Sequence, residues 1–134
     1  MKSTLKVVIV LMLCLFVGIS AEGKKKKGEG TPKLKFTENV FDFGKISENG
    51  GMVSHEFEFI NIGNDNLVIL DATAQCGCTR PSFTTNPVAP GKKGKIKVAY
   101  NPKGRPGSFN KDVTVRTNGS PKKVTVKIKG NVVD

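Results

Sequence analysis

Cys76-Gly77-Cys78-Thr79 carries the side chains of this 134-residue chain best suited to chemistry. Two thiols one residue apart can close a disulfide, hold a soft metal ion or stay reduced. In an extended strand, residues i and i+2 project from one face, with Cα atoms about 6.5 Å apart. That is near the upper limit of roughly 6.8 Å for a disulfide. Closure needs a local kink, which Gly77 would permit without a Cβ clash, with Thr79 as the flanking support. Such a bond is expected to be strained and more reducible than most. A reduced, buried pair would act as two small hydrophobes. As metal ligands, Cys76 and Cys78 would select Cu(I), because thiolates favour it. Tetrahedral zinc wants four N or S ligands, and only His55 could add one. His55 keeps phase with Phe57 and Phe59 and reads as a structural histidine, so a Cys–His dyad lacks support. Disulfide oxidoreductases use Cys-X-X-Cys at a helix N-terminus. Here the spacing is one residue and Pro81 follows, which argues against a turnover catalyst.

The compartment decides how those thiols are read. Lys2 and Lys6 precede an apolar run from Val7 to Ile19, and Ser20 and Ala21 supply small residues for cleavage. Residues 1–21 therefore read as a secretory signal peptide, short for a transmembrane helix. Cys14 raises a lipoprotein alternative, but Leu13 stands where a small residue is wanted, and Leu15 to Val17 continue the apolar run. Cleavage after Ala21 removes Lys2 and Lys6, leaving 20 of 22 Lys+Arg against 11 Asp+Glu, a formal +9. It also removes Cys14, so two cysteines enter an exported, oxidising space (periplasmic or secreted), where an even count favours pairing.

Residues 22–33 are rich in Lys and Gly and read as a flexible linker. Its run Lys24, Lys25, Lys26 and Lys27 could make weak contact with anionic surfaces. Residues 34–134 suit one domain. Val53, His55, Phe57 and Phe59 alternate with polar residues, as do Ile96, Val98 and Tyr100, Val113 and Val115, and Val124, Val126 and Ile128. Leu67 to Leu70 is continuously apolar, suggesting a strand buried on both sides. No segment shows a helical period, and Gly, Pro or Asn ends nearly every run. About seven short strands predict an all-β, immunoglobulin-like antiparallel sandwich. The chain lacks Trp, and its cysteines cannot bridge two sheets in the usual immunoglobulin way.

Phe41-Asp42-Phe43-Gly44, Phe57-Glu58-Phe59-Ile60-Asn61, Cys76-Gly77-Cys78-Thr79, Pro90-Gly91, Tyr100-Asn101 and Gly107-Ser108-Phe109 form one ordered series. The series resembles an exported bacterial family of unknown function, common in Bacteroidetes and built on an immunoglobulin-like sandwich. It is similar in fold to ASPM/SPD-2/Hydin and major sperm protein domains. The resemblance implies the fold and an exported location, and it carries no activity.

Lys95 and Lys97, like Lys127 and Lys129, fall out of phase with the apolar residues around them and read as solvent-facing, which also discourages edge-to-edge pairing. The aromatic residues sit in core phase, so no stacking groove for nucleic acid is expected. The basic loop from Asn101 to Gly107 could add contacts to acidic surfaces, although turn chemistry accounts for its Pro and Gly. Asn118-Gly119-Ser120 matches a glycosylation sequon weakly. There are no paired carboxylates in motif context, no phosphate-cradling loop and no serine-centred triad. Two functions follow: a non-enzymatic exported binding or scaffold domain for a protein or envelope component, or a thiol redox-sensitive or Cu(I)-binding protein acting through Cys76 and Cys78.

Overall fold

The computed structural model describes residues 30–134. The signal peptide, Cys14, the lysine run 24–27 and most of the linker lie outside the described residues. Eight strands follow in order: β1 Leu34–Phe36, β2 Val40–Ser47, β3 Val53–Asn61, β4 Ile69–Ala74, β5 Thr79–Phe83, β6 Lys93–Tyr100, β7 Gly107–Thr117 and β8 Lys123–Val133. They form two four-stranded sheets, ordered β1-β3-β6-β5 and β2-β8-β7-β4. The all-β sandwich expected from the alternation is present.

Period-2 patterning explains the layers. Along β6, Ile96, Val98 and Tyr100 are buried while Lys93, Lys95 and Lys97 are exposed. Phe57, Phe59, Ile96 and Val98 of the first sheet meet Val113, Val115, Val126 and Ile128 of the second, all essentially inaccessible. Each such side chain contributes about 1.5–3 kcal/mol by leaving water. Two glycines make seats for aromatic rings. Phe59 pairs with Gly94 and Phe109 with Gly130. A Cβ on Gly94 would stand 2.4 Å from the Phe59 ring, and one on Gly130 2.7 Å from Phe109.

Several expectations need correction. The eighth strand, β5, escapes the apolar pattern because Arg80, Pro81 and Ser82 fill its middle. Pro81 is tolerated because β5 is an edge strand, where one side of the backbone needs no ladder donor. The sheets are not wholly antiparallel, since β2 pairs with β8 in parallel, with a register break between Asp42 and Lys45. Gly44, at φ +69°, sits in that break, and its N–H donates to Asp42 Oδ1 at 2.8 Å. Leu67–Leu70 is not buried on both sides. Leu67 and Ile69 are buried, whereas Leu70 is 51% exposed, at the β4 register shift between Ile69 and Asp71. Finally, β6 and β8 are interior strands. Their lysines therefore cover sheet faces rather than guard edges.

The two ends of the sandwich differ. At one end the entering chain is clamped, although composition places residues 31–33 in the linker. Ile62 N–H donates to Lys33 C=O at 2.8 Å, and Ser120 N–H to Pro32 C=O at 2.9 Å. Gly63 and Gly119 floor this passage; a Cβ there would fall 2.2 Å from Thr31 O and 2.3 Å from Pro32 O respectively. Beside it, the fully buried Asn61 ties the loops together. Its Nδ2 donates to Asp65 C=O at 2.7 Å and Val88 C=O at 2.9 Å. Its Oδ1 accepts from Lys33 N–H at 3.2 Å and Gly63 N–H at 2.9 Å. The pairing of Leu34 with Asn61, and of β7 with β8, puts the start of β1, the end of β3 and the turn 118–122 at this end. The β4–β5, β2–β3 and β6–β7 connections therefore lie at the other.

Candidate functional site

The chain crosses from the second sheet to the first between Ala74, where β4 ends, and Thr79, where β5 begins. Cys76 and Cys78 sit in that crossing turn rather than in a strand. Thr79 N–H donates to Cys76 C=O at 3.1 Å, closing the turn. The turn brings the two Cα atoms to 5.2 Å, and the sulfurs are joined in a disulfide. Gly77 does not supply the kink by an unusual backbone: it is absent from the positive-φ glycines, and open space surrounds the position its Cβ would take. The turn shortens the Cα separation without any conformation reserved for glycine.

The two sulfurs differ in environment. Cys78 is 2% exposed and belongs to the core cluster, whereas Cys76 is half-buried and packs against its edge. Cys78 N–H points to Cys76 Sγ at 3.2 Å, and Cys78 Sγ lies 3.7 Å from Thr79 Oγ1. Thr79 is itself buried and pairs with Tyr100. Burial raises the Tyr100 hydroxyl above its ordinary pKa of 10, with the Arg105 cation pulling in the opposite direction. The neighbouring loop is fastened to the turn, because Asn101 N–H donates to Cys78 C=O at 2.9 Å. Gly104 N–H reaches Glu48 Oε1 at 3.2 Å, joining the β6–β7 loop to the β2–β3 connection.

A groove of about 510 Å³ opens beside the turn. Cys76 and Thr79 form one side of it. Its floor is a polar row in which Thr73 of β4 pairs with Thr114 of β7, and Thr114 with Thr125 of β8. Lys111, Arg116 and Lys123 bring positive charge against the single carboxylate of Asp112. Arg116 is paired to Asp71 at 3.2 Å, and Asp112 to Lys127 at 3.7 Å. Lys111 and Lys123 have no ion-pair partner among the described residues. Sequence reasoning passed over this groove. Its one signal was Lys111, a charge in core phase between Phe109 and Val113.

His55 is not brought to the sulfurs. Its ring stacks on Phe41 at 3.6 Å and 5°, meets Phe57 edge-on, and its Nε2 is bonded to Glu38 Oε1. No group of three His, Cys, Asp or Glu side chains with metal-holding proximity occurs among the described residues. While bridged, Cys76 and Cys78 present no thiolate to a soft metal. The Asn118 carboxamide is occupied as a clip: Oδ1 accepts from Val68 N–H at 2.8 Å and Nδ2 donates to Asn66 C=O at 3.3 Å. Among the described residues no helix is long and apolar enough to cross a membrane.

Residues 34–132 match a family described as a protein of unknown function, DUF1573. No protein of curated function matches the chain. Among solved structures, a protein of unknown function from Porphyromonas gingivalis W83 is similar at TM-score 0.65 and 16% identity, over 75% of this chain and 47% of that one. The Vibrio cholerae VesB protease gives 0.61 and 19%, over 74% of this chain and 32% of its own. The seventh PapD-like (ASH) domain of human CEP192 gives 0.58 and 14%, over 78% and 87%. The chain spans less than half the length of the first two. At these identities the likeness is one of fold.

Proposed function

The chain belongs to the DUF1573 family, and from that premise we propose that it is an exported, non-enzymatic binding domain that engages a protein or envelope component at the end of the sandwich carrying Cys76 and Cys78. One observation carries this reading. The N-terminal chain is fastened at one end, between Gly63 and Gly119, while three connections cross-linked by hydrogen bonds gather at the other. A sandwich held by one end presents its opposite loops to partners, and rigid loops lose little entropy on binding. The PapD-like neighbour supports a scaffold of this kind. Upstream, Lys24–Lys27 would rest against anionic surfaces.

A photo-crosslinking residue placed at Lys103, in the β6–β7 loop, and in a second variant at Asn64, at the clamped end, tests the assignment in the intact envelope. Adducts from position 103 and not from 64 are expected. Adducts from 64 alone, or equally from both, would overturn it.

A second reading is favoured by the half-buried position of Cys76: the bridge responds to thiols. Cu(I) would bind Cys76 and Cys78 only after reduction of the bridge. Mass spectrometry of the envelope-purified protein, with and without reductant, tests both. A shift of about 2 Da reports the bridge (two protons per disulfide), and a copper adduct reports the metal.

A further inference from the structure

We propose that the groove beside the turn seats an acidic, cysteine-bearing peptide segment, which exchanges its thiol onto Cys76 to form a reversible covalent complex. The inference rests on the binding-domain reading and names the partner chemistry. Two independent features converge on it. Cys76 lines the groove, whereas Cys78 is sealed in the core at 2% exposure. An incoming thiolate therefore reaches one sulfur and not the other. The groove also carries more positive than negative charge, and Lys111 and Lys123 lack partners among the described residues. Carboxylates flanking the attacking cysteine would complete them. The threonine row of Thr73, Thr114 and Thr125 offers hydroxyls to an extended backbone lying across the sheet.

The exchange balances without an outside oxidant. The partner thiol gives its proton to water, and its sulfur lone pair forms a bond to Cys76 Sγ. The Cys76–Cys78 bond breaks, and its electron pair leaves on Cys78 Sγ, which takes up a proton from water. The products are a mixed disulfide at Cys76 and a free thiol at Cys78 beside the Thr79 hydroxyl, 3.7 Å away in the bridged state. Attack by Cys78 on Cys76 Sγ reverses the step and ejects the partner as its thiol. A pair in a four-residue turn keeps the second thiol at hand, so release needs no further enzyme.

The test uses the full chain with two synthetic probes, Glu-Glu-Cys-Glu-Glu and Lys-Lys-Cys-Lys-Lys. Each rate is normalised to that peptide's rate with neutral 2-hydroxyethyl disulfide, which removes the effect of flanking charge on the thiol itself. N-ethylmaleimide added together with denaturant at the quench caps the released cysteine, which the fold otherwise buries, and peptide mapping identifies both sites. The acidic probe should react about tenfold faster than the basic one at low salt, and the preference should fall to about twofold at 0.5 M salt. The peptide should sit on Cys76 and the maleimide on Cys78. The Lys111→Ala/Lys123→Ala variant should lose the preference while keeping the wild-type circular dichroism spectrum and Tm, which separates charge steering from misfolding.

Peptide on Cys78, equal labelling of both sulfurs, or equal normalised rates for the two probes would overturn the proposal. So would dextran sulfate binding that depends on Lys111 and Lys123 with no preference for the acidic thiol, which would make the groove a polyanion site. If position-103 crosslinks persist in a Cys76→Ser/Cys78→Ser variant while the probes show no preference, this inference fails and the binding-domain reading stands.

Discussion

Replacing Asn61 by alanine should cost about 3 kcal/mol, which for a domain of this size lowers Tm by roughly 15 °C. The side chain makes four hydrogen bonds, to Asp65, Val88, Lys33 and Gly63. A typical bond contributes about 1 kcal/mol net. The Val88 bond is buried, whereas the other three are only partly so, and water can partly replace them. Val88 C=O also keeps Leu67 N–H at 2.9 Å, which limits its loss. Asn61→Asp separates this account from simple packing. The carboxylate still accepts from Lys33 and Gly63, but its second oxygen faces two carbonyls. That raises its folded pKa above the unfolded value of about 3.9. The deficit relative to wild type is therefore full at neutral pH and shrinks as pH falls from 7 toward 4, because the protonated oxygen can donate again. Urea unfolding followed by circular dichroism, with wild type at each pH as reference, measures both variants. An Asn61→Ala cost under about 1 kcal/mol, or an Asn61→Asp deficit that grows on acidification, would refute the reasoning.

Three further outcomes follow from the geometry. Gly77→Ala should change stability by no more than about 0.5 kcal/mol, since its φ is ordinary and its Cβ meets nothing. Gly94→Ala should cost several-fold more, because its Cβ would stand 2.4 Å from the Phe59 ring; chemical denaturation of the two variants side by side checks the contrast. Reducing the Cys76–Cys78 bridge should lower stability by only about 1.6 kcal/mol, the chain-entropy estimate for a three-residue loop, read as a Tm shift with and without reductant. Because Tyr100 titrates above its unfolded value, its contribution is full below about pH 10 and is lost as pH rises through the higher folded value. Absorbance at 295 nm should place that ionisation above 10, and Arg105→Ala should move it higher still.

How much of this was legible in the residues depends on how local the cause is. The alternations around Phe57, Ile96, Val113 and Val126 are set by burial of one sheet face, and they marked β3, β6, β7 and β8. β5 was hidden because an edge strand tolerates Pro81 and needs no apolar run. The parallel pairing of β2 with β8 was hidden because it joins the second strand to the last, and no local pattern encodes that order. Leu70 read as core because apolar runs carry no sign of the register shift that turns it outward. At the site, adjacency of the sulfurs was plain from spacing. Their unequal exposure was not, because it comes from β5 drawing Cys78 under the sheet while Cys76 stays at the rim. The groove depends on three strands lying side by side, and the lone charge at Lys111 was too slight a clue to reveal it.

The clamp around Pro32 gives the molecule a direction. The chain comes in at one pole, and β8 runs out at the other. Copies or neighbours joined in series would therefore line up like links in a rod, each adding about 35 Å, the span of an eleven-residue strand. Tension between the poles would draw β1 lengthwise along β3 and β8 along both β2 and β7, so the shared rungs of each ladder would have to slip together instead of parting one by one. Such a link resists stretching far better than one whose ends leave side by side.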